Sequence, residues 1–148
     1  MSHPLLLEIV TPEKLVLSLD VLAVTCSGVA GEFTILPLHV PFLSSLQVGY
    51  LHYRVDRSMR MVFVSGGFAD VSGGKVLILA EAAELPEEID VDRAKKARER
   101  AKVRLEVERR ENVDYVRAKS ALQRAVLRIR LHELAQSGLS PRNIGAAS

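Results

Sequence analysis

The chain has 148 residues, which is enough for one domain or for a compact domain of about 85 residues with an appendage. Its hydrophobic content of 48% and charged content of 26% are typical of a globular protein and exclude a disordered one. The net charge of +2 hides an uneven distribution, because residues 1–89 carry a net charge of −5 and residues 90–135 carry +6. This split predicts two units with different partners.

Neither a membrane span nor a secretion signal is expected. The longest uncharged apolar runs fall well short of about 18 residues, and Met1–Pro4 has neither a basic segment nor a small-residue cleavage site. The single cysteine, Cys26, lacks a partner for a disulfide or a zinc site, so we expect a reducing cytoplasm and a buried thiol. With no Trp, three Tyr and four Phe, the predicted core is aliphatic.

Short β-prone runs separated by turn residues fill residues 5–83, and their spacing predicts a β-sandwich or barrel. In Tyr50–Val55 apolar and polar residues alternate, so one face is expected to meet a core and the other water. Ser72–Lys75 and Asp56–Ser58 predict tight hairpins, and Gly66-Gly67 is predicted to be a further turn. The predicted strands are Leu5–Val10, Leu15–Cys26, Phe33–Leu36, Val48–Val55, Met59–Val64, Phe68–Ser72 and Val76–Ala82.

Helices are predicted after Ile89, where the period changes from two to about 3.6 and Ala, Arg, Lys and Glu replace β-branched residues. Asp90 is predicted to cap the first helix and Asp114 the second. The predicted architecture is therefore a β unit at residues 1–86, a helical hairpin at 87–138 and a disordered tail at 139–148. The first helix is expected to end near Arg110, and the second to run from Tyr115 to about Ala135.

The apolar stripes of both predicted helices are rich in alanine. Each buried methylene contributes about 0.8 kcal/mol, so an alanine seam stabilises a helix pair several kcal/mol less than a leucine seam. The hairpin is therefore predicted to be marginally stable, which is compatible with a switch between two packings. The stripe residues are Ala94, Ala97, Ala101 and Leu105 in the first helix, and Ala118, Ala121, Leu122, Ala125, Val126 and Ile129 in the second.

Two stretches resemble a known family. The segment Gly31–Pro41 reads GEFTILPLHVP and is similar to the Gly-Glu-Phe, Leu-Pro, His-x-Pro signature of the epsilon subunits of rotary F-type ATP synthases. A second segment, Val64–Val71 followed by Val76–Glu81, resembles the Gly-Gly-Phe turn that the family has between late strands. Order and spacing also agree, and the resemblance covers roughly residues 4–135.

The resemblance implies a non-catalytic central-stalk subunit with an N-terminal antiparallel β-sandwich and a C-terminal two-helix antiparallel hairpin. In the family the sandwich packs on the gamma subunit and the c-ring, while the helices insert among the alpha and beta subunits and inhibit ATP hydrolysis. Gly31, Glu32 and His39 match positions at the rotor base, against the c-ring and gamma. The alternatives are that Gly31 serves backbone geometry, that Glu32 is a solvated carboxylate, and that His39 bonds its own loop.

A regulatory ATP site is also implied. Ile89–Ala94 matches the Ile/Leu-Asp-x-x-Arg-Ala motif with which some bacterial members of the family bind ATP. Arg124 and Arg128 match the family's basic pair on the second helix, and arginine forks suit phosphate oxygens. The predicted site consists of Glu84, Ile89, Asp90, Arg93, Arg124 and Arg128. The alternative is that Asp90 is only a helix cap and the arginines only a solvated face. No required cofactor and no metal are predicted.

Other functions receive less support from the residues. The histidines are scattered, no nucleophile or metal-ligand spacing is present, and two near-matches to phosphate-binding glycine loops fail at Cys26 and Ala69. The competing interpretation is a module that binds nucleic acid or an anionic membrane through the basic hairpin. Against it, glutamates interrupt the basic residues and no aromatic is placed to stack on bases, so no nucleic-acid partner is expected. The expected location is peripheral, on the cytoplasmic face of a bacterial inner membrane; a chloroplast thylakoid is the alternative.

Overall fold

Eight strands are followed by two helices in this computed structural model, which describes residues 4–38 and 41–137. The chain divides into two compact units, with the boundary between Leu85 and Pro86. The strands are β1 (Leu5–Val10), β2 (Leu15–Val21), β3 (Ala23–Gly28), β4 (Gly31–Ile35), β5 (Phe42–Val55), β6 (Ser58–Ser72), β7 (Lys75–Ala80) and β8 (Ala83–Glu84). A 3₁₀ turn at Pro86–Glu88 precedes helices α1 (Val91–Val107) and α2 (Val113–Gln136).

The strands are hydrogen-bonded in the order β2-β1-β7-β6-β5-β3-β4, with β8 on a different stretch of β6. All pairs are antiparallel except β1 with β7. The long β5–β6 hairpin belongs to two layers, because the second half of β6 pairs with β7 while Phe63 and Val64 pair with β8. Core side chains from β1 and β4, far apart along this path, join one cluster, and β2 contacts β5. The sheet thus closes into a sandwich.

The bend in β6 lies at Gly66 and Gly67, which have φ values of 73° and 134°. Both values belong to the region that glycine tolerates and other residues avoid. The prediction of a turn here is wrong, because β6 continues through both glycines and pairs with β5 on either side of them. A positive-φ glycine produces the same local sequence signal in a turn and in a bent strand.

A second difference lies in the predicted strand Leu15–Cys26, which is divided into β2 and β3. β2 pairs with β1, whereas β3 pairs with β4 and β5. Between them the N–H of Leu22 donates to the carbonyl oxygen of Arg54 at 2.8 Å, outside either ladder. The apolar run is therefore continuous in sequence while its backbone hydrogen bonds change partner. Both predicted hairpins are confirmed, with positive φ at Asp56, Gly73 and Gly74.

The core is aliphatic, as predicted. Leu5, Leu7, Ile9 and Ile35 are among its largest fully buried side chains, and the aromatic side chains Phe63 and Tyr53 are buried as well. Cys26 lies in this cluster with 1% of its surface exposed, which confirms its predicted burial. Burial raises the pKa of the Cys26 thiol to about 12, because an apolar environment disfavours the thiolate.

The two helices differ from their predicted bounds at the loop between them. α1 ends at Val107, before the predicted Arg110, and the N–H of Glu108 donates to the carbonyl oxygen of Arg104 at 3.0 Å. The predicted cap at Asp114 is wrong: α2 begins at Val113 with Asn112 as its N-cap, and Asp114 lies in the first turn. A carboxylate in the first turn interacts favourably with the helix dipole, as it would at the N-cap. Aspartate therefore suits either position.

An alanine seam joins α1 and α2. Residues late in α1 line a common groove with residues early in α2, so the helices are antiparallel. Ala94 and Ala101 on α1 and Ala118 and Ala125 on α2 are all buried, as predicted. Val126 is 40% exposed, so its predicted place in the seam is wrong. No helix in the described ranges is both long enough and apolar enough to cross a membrane.

We expect Gly67→Ala to reduce the free energy of unfolding by about 2–4 kcal/mol, because the added Cβ meets the carbonyl oxygen of Leu79 and φ is strained. The matched control is Gly73→Ala, whose φ of 55° is also positive but whose Cβ meets nothing within 4 Å; it should cost about 1 kcal/mol. Urea unfolding measures both. If both variants lose the same free energy of unfolding, the close approach of β6 and β7 at Gly67 makes no contribution to stability.

The buried thiol predicts a fall in stability at alkaline pH. The folded-state pKa of Cys26 is raised, so above the pKa of the unfolded thiol only the unfolded state releases the proton, and stability falls with rising pH until about pH 12. Urea midpoints at pH 8 and pH 10.5 should decline more steeply in the wild type than in Cys26→Ala. If the two slopes match, other groups account for the alkaline loss.

Candidate functional site

The start of α1 carries three of the predicted nucleotide-binding residues. The N–H of Arg93 donates to Oδ1 of Asp90 at 3.1 Å, so Asp90 is the N-cap, as predicted. Ile89 is buried, whereas Asp90 and Arg93 are exposed. Oδ2 of Asp90 and the guanidinium of Arg93 have no polar partner within the described ranges, so both could still contact a ligand.

Arg124 and Arg128 lie one turn apart on α2, and both are half-buried. The groove between the helices places Ala101 level with Ala118, and continuing this antiparallel register places Ala94 level with Ala125. The start of α1 is therefore level with the part of α2 that bears the two arginines. Ile89, Asp90, Arg93, Arg124 and Arg128, five of the six predicted residues, thus all belong to the hairpin unit.

Glu84, the sixth predicted residue, is in β8 of the sandwich unit and is half-buried. Its backbone pairs with Phe63 of β6. Both Glu84 and Arg128 already make an interaction in the folded chain.

A second cluster of arginines lines the interhelical groove nearer the loop between the helices. The groove encloses about 330 Å³ over a floor of alanine side chains, and Arg100, Arg104 and Arg117 line it together with Asp114. Nη1 of Arg117 is 3.9 Å from Oδ1 of Asp114, whereas Arg100 and Arg104 form no ion pair in the described part of the chain. We did not predict this cluster from the sequence; the available signal was an Arg pair at i and i+4 beside the alanine stripe.

Elsewhere on the hairpin, ion pairs are few and exposed. Glu99 is 3.2 Å from Nε of Arg98 and 3.9 Å from Nζ of Lys102. Exposed pairs of this kind contribute little to stability. Most of the positive charge of the hairpin is therefore available to an acidic partner.

Two of the three predicted rotor-base residues, Gly31 and Glu32, lie at the start of β4, in the β3–β4 hairpin. Gly31 has a φ of 132°, and a Cβ there would meet nothing within 4 Å, so backbone geometry explains this glycine. Glu32 is exposed on β4. Burial lowers the pKa of His52, and the negative charge of Glu32 partly offsets this lowering. The Glu32 carboxylate therefore interacts electrostatically with the His52 side chain. His39 lies outside the described residues.

Leu38, the residue before His39, is another residue that sequence analysis did not single out. Its φ is 66° and its side chain is 85% exposed. A leucine is unfavourable both in the left-handed region and in full contact with water. No group of three potential metal ligands occurs within residues 4–38 and 41–137.

The family models match both units. Residues 4–86 match the beta-sandwich domain of the ATP synthase delta/epsilon chain, and residues 87–133 match its long alpha-helix domain. The "ATP synthase epsilon chain" of Nitratidesulfovibrio vulgaris is 56% identical over 105 residues, which cover 71% of this chain and 78% of the relative. The protein of the same name from Syntrophobacter fumaroxidans is 55% identical over 105 residues, with the same coverage of both chains.

Solved structures share the fold. A chain in the Euglena gracilis mitochondrial ATP synthase, in a structure of OSCP, F1 and c-ring, has a TM-score of 0.63 at 23% identity, covering 92% of this chain and 81% of its own. A chain in the central stalk and c-ring structure of the Tetrahymena thermophila mitochondrial ATP synthase has a TM-score of 0.60 at 17% identity, covering 88% and 98%. The resemblance in sequence is thereby confirmed, and the chain belongs to the delta/epsilon chain family of the F-type ATP synthase as a non-catalytic, epsilon-type subunit.

Proposed function

We propose that this chain is a central-stalk subunit, with residues 1–86 as the mount and residues 87–138 as a regulatory hairpin. The mount contacts the gamma subunit and the c-ring, with Gly31, Glu32 and His39 on the contacting end. Support comes from the curated epsilon chains of similar sequence and from the fold shared with a chain in a central stalk and c-ring structure. The protein is then peripheral to the membrane, on its cytoplasmic face, and holds no required cofactor.

The hairpin inhibits ATP hydrolysis by contacting the alpha and beta subunits in a second, extended state. The observation that carries this proposal is the seam itself: four of its buried residues are alanines, which stabilise the compact packing less than leucines would. The 17 residues of α1 and the 24 of α2 span about 25 Å and about 36 Å, so an opened hairpin has a long reach. Its unpaired cations favour an acidic surface on the catalytic subunits.

The competing interpretation, a nucleic-acid or anionic-membrane module, rested on the basic hairpin alone. Family membership explains that hairpin without a polyanionic ligand. Arg100, Arg104 and Arg117 form a compact groove over alanines instead of a continuous basic stripe, and no aromatic lines the groove. The geometry suits a small anionic side chain better than a polymer backbone.

Deletion of the residues after Glu88 should raise ATP hydrolysis by the assembled complex several-fold while the truncated subunit remains bound. The deletion removes α1 and α2 and leaves the sandwich whole. Steady-state hydrolysis and co-purification of the subunit are the two measurements. Retention of the subunit with unchanged hydrolysis would remove inhibition from the proposal, whereas loss of the subunit would contradict the role of the sandwich as the mount.

ATP regulates the hairpin by binding Ile89, Asp90, Arg93, Arg124 and Arg128, with Glu84 accepting from the base or hydroxyls. The register that brings the start of α1 level with Arg124 and Arg128 supports this site. A ligand that bridges both helices stabilises the compact state through its differential affinity.

We expect ATP to bind the isolated protein in calorimetry, and Arg93→Ala to weaken that binding at least tenfold by removing charge-assisted hydrogen bonds. The matched control is Arg109→Ala, an equally exposed arginine in the loop between α1 and α2, which should leave the affinity unchanged. Equal heats for the wild type and Arg93→Ala would exclude the site.

A further inference from the structure

Three arginines cluster at the closed end of the β5–β6 hairpin. Arg54 is the last residue but one of β5, Arg57 lies in the turn, and Arg60 is the third residue of β6. All three are exposed. Residues 1–89 contain no other arginine. Residues 54–60 are called the arginine tip below.

The backbone of the arginine tip is firmly anchored. The β5–β6 ladder continues to the pair Val55 and Ser58, which leaves a two-residue turn in which Asp56 has a φ of 53°. Oγ of Ser58 donates to the carbonyl oxygen of Val55 at 3.0 Å, and the N–H of Leu22 donates to that of Arg54 at 2.8 Å. The arginines therefore project from paired strands and a tight turn, so a partner that binds them has no loop to order.

The three guanidiniums have no carboxylate partner within residues 4–38 and 41–137. None of them forms an ion pair there, although Asp56 lies in the turn and Asp20 lies two residues before Leu22. The arginine tip has a net charge of +2, whereas the rest of residues 1–89 holds two lysines and nine carboxylates, a net charge of −7. The tip is thus a small cationic area on an otherwise anionic unit.

The arginines are distributed around the end of the hairpin. Arg60 is paired with Tyr53, whose side chain belongs to the core cluster. Because successive side chains of a strand point to opposite faces, Arg54 lies on the other face from Tyr53 and Arg60. Arg57 lies between them in the turn. A partner that contacts all three must therefore cap the end of the hairpin with several anionic groups.

We propose that the arginine tip binds a carboxylate-rich segment of a neighbouring protein subunit. The proposal rests on the proposed function, since it requires the assembled complex. Guanidinium forks match carboxylates in geometry as well as in charge. The anionic surroundings of the tip disfavour a membrane or a nucleic acid, because their phosphates extend beyond the tip to within a Debye length, about 8 Å, of the other carboxylates. A compact acidic segment contacts the tip alone.

The test measures binding of the full-length chain to the F1 assembly from which this subunit has been removed. Arg57→Ala, Arg60→Ala should bind about tenfold more weakly than the wild type, with a shallower dependence on salt concentration. Its thermal midpoint should be unchanged, since both side chains are exposed. The matched control is Arg57→Lys, Arg60→Lys, which keeps both positive charges and should bind within about threefold of the wild type.

The lysine variant also tests the chemistry of the partner. A carbodiimide joins an amine directly to a carboxylate that contacts it, so the new amines at positions 57 and 60 should crosslink to an Asp or Glu of another subunit, as identified by mass spectrometry. The ion pair of Lys75 and Glu8, with 3.0 Å between Nζ and Oε1, provides an internal positive control in the same sample.

Equal binding of the wild type and Arg57→Ala, Arg60→Ala would overturn the role of the arginine tip alone. An equal loss in the lysine variant would do the same, as would its failure to crosslink to another subunit while Lys75 and Glu8 become joined. A wild type that does not bind F1 would overturn the proposed function together with this inference. Binding of the wild type to anionic phospholipid vesicles or to a second copy, if the alanine variant abolishes it, would also overturn the proposal.

Discussion

The sandwich depends on one close backbone approach, where β6 passes β7 at Gly67. A side chain at this position would collide with the carbonyl oxygen of Leu79, and φ of 134° excludes most other residues in any case. Because the strand bends here, its first half joins the layer that contains β3, β4 and β8, and its second half joins the layer that contains β1, β2 and β7. The buried side chains of both layers then form one core.

The hairpin is governed by a weaker constraint. Four buried alanines allow α1 and α2 to approach closely, and each of them contributes less to stability than a leucine would, although Ile129 and Leu131 of α2 are buried as well. The exposed ion pairs add little, since solvent screens them. A seam of this kind fixes which residues are level across the hairpin while leaving the free energy of opening small. These are the two properties that a regulatory segment with an extended state requires.

Sequence patterns predicted a β unit followed by two helices, both tight hairpins, the cap at Asp90 and the four buried alanines. They failed where one residue type serves two geometries. Gly66 and Gly67 suit a turn or a bent strand, and Asp114 suits an N-cap or a first helical turn. The division of Leu15–Cys26 could not be predicted because it depends on which strands pair with β2 and β3, and these strands are distant in sequence. Arg100, Arg104 and Arg117 line one groove only because of the register between α1 and α2. The sequence pattern of either helix alone does not determine that register.

The two roles of Asp90, as the N-cap of α1 and as a contact in the proposed regulatory site, are compatible. Oδ1 accepts the N–H of Arg93 and fixes the start of α1, while the side chains of Asp90 and Arg93 are both exposed. A ligand that contacts Oδ2 and Arg93 can bind well only while the cap is formed, because uncapping moves the carboxylate away from the first turn. Binding therefore stabilises the first turn of α1, and through the register of the alanine seam it stabilises the compact hairpin. In the proposed mechanism the cap is therefore the element that couples ligand occupancy to the state of the helices.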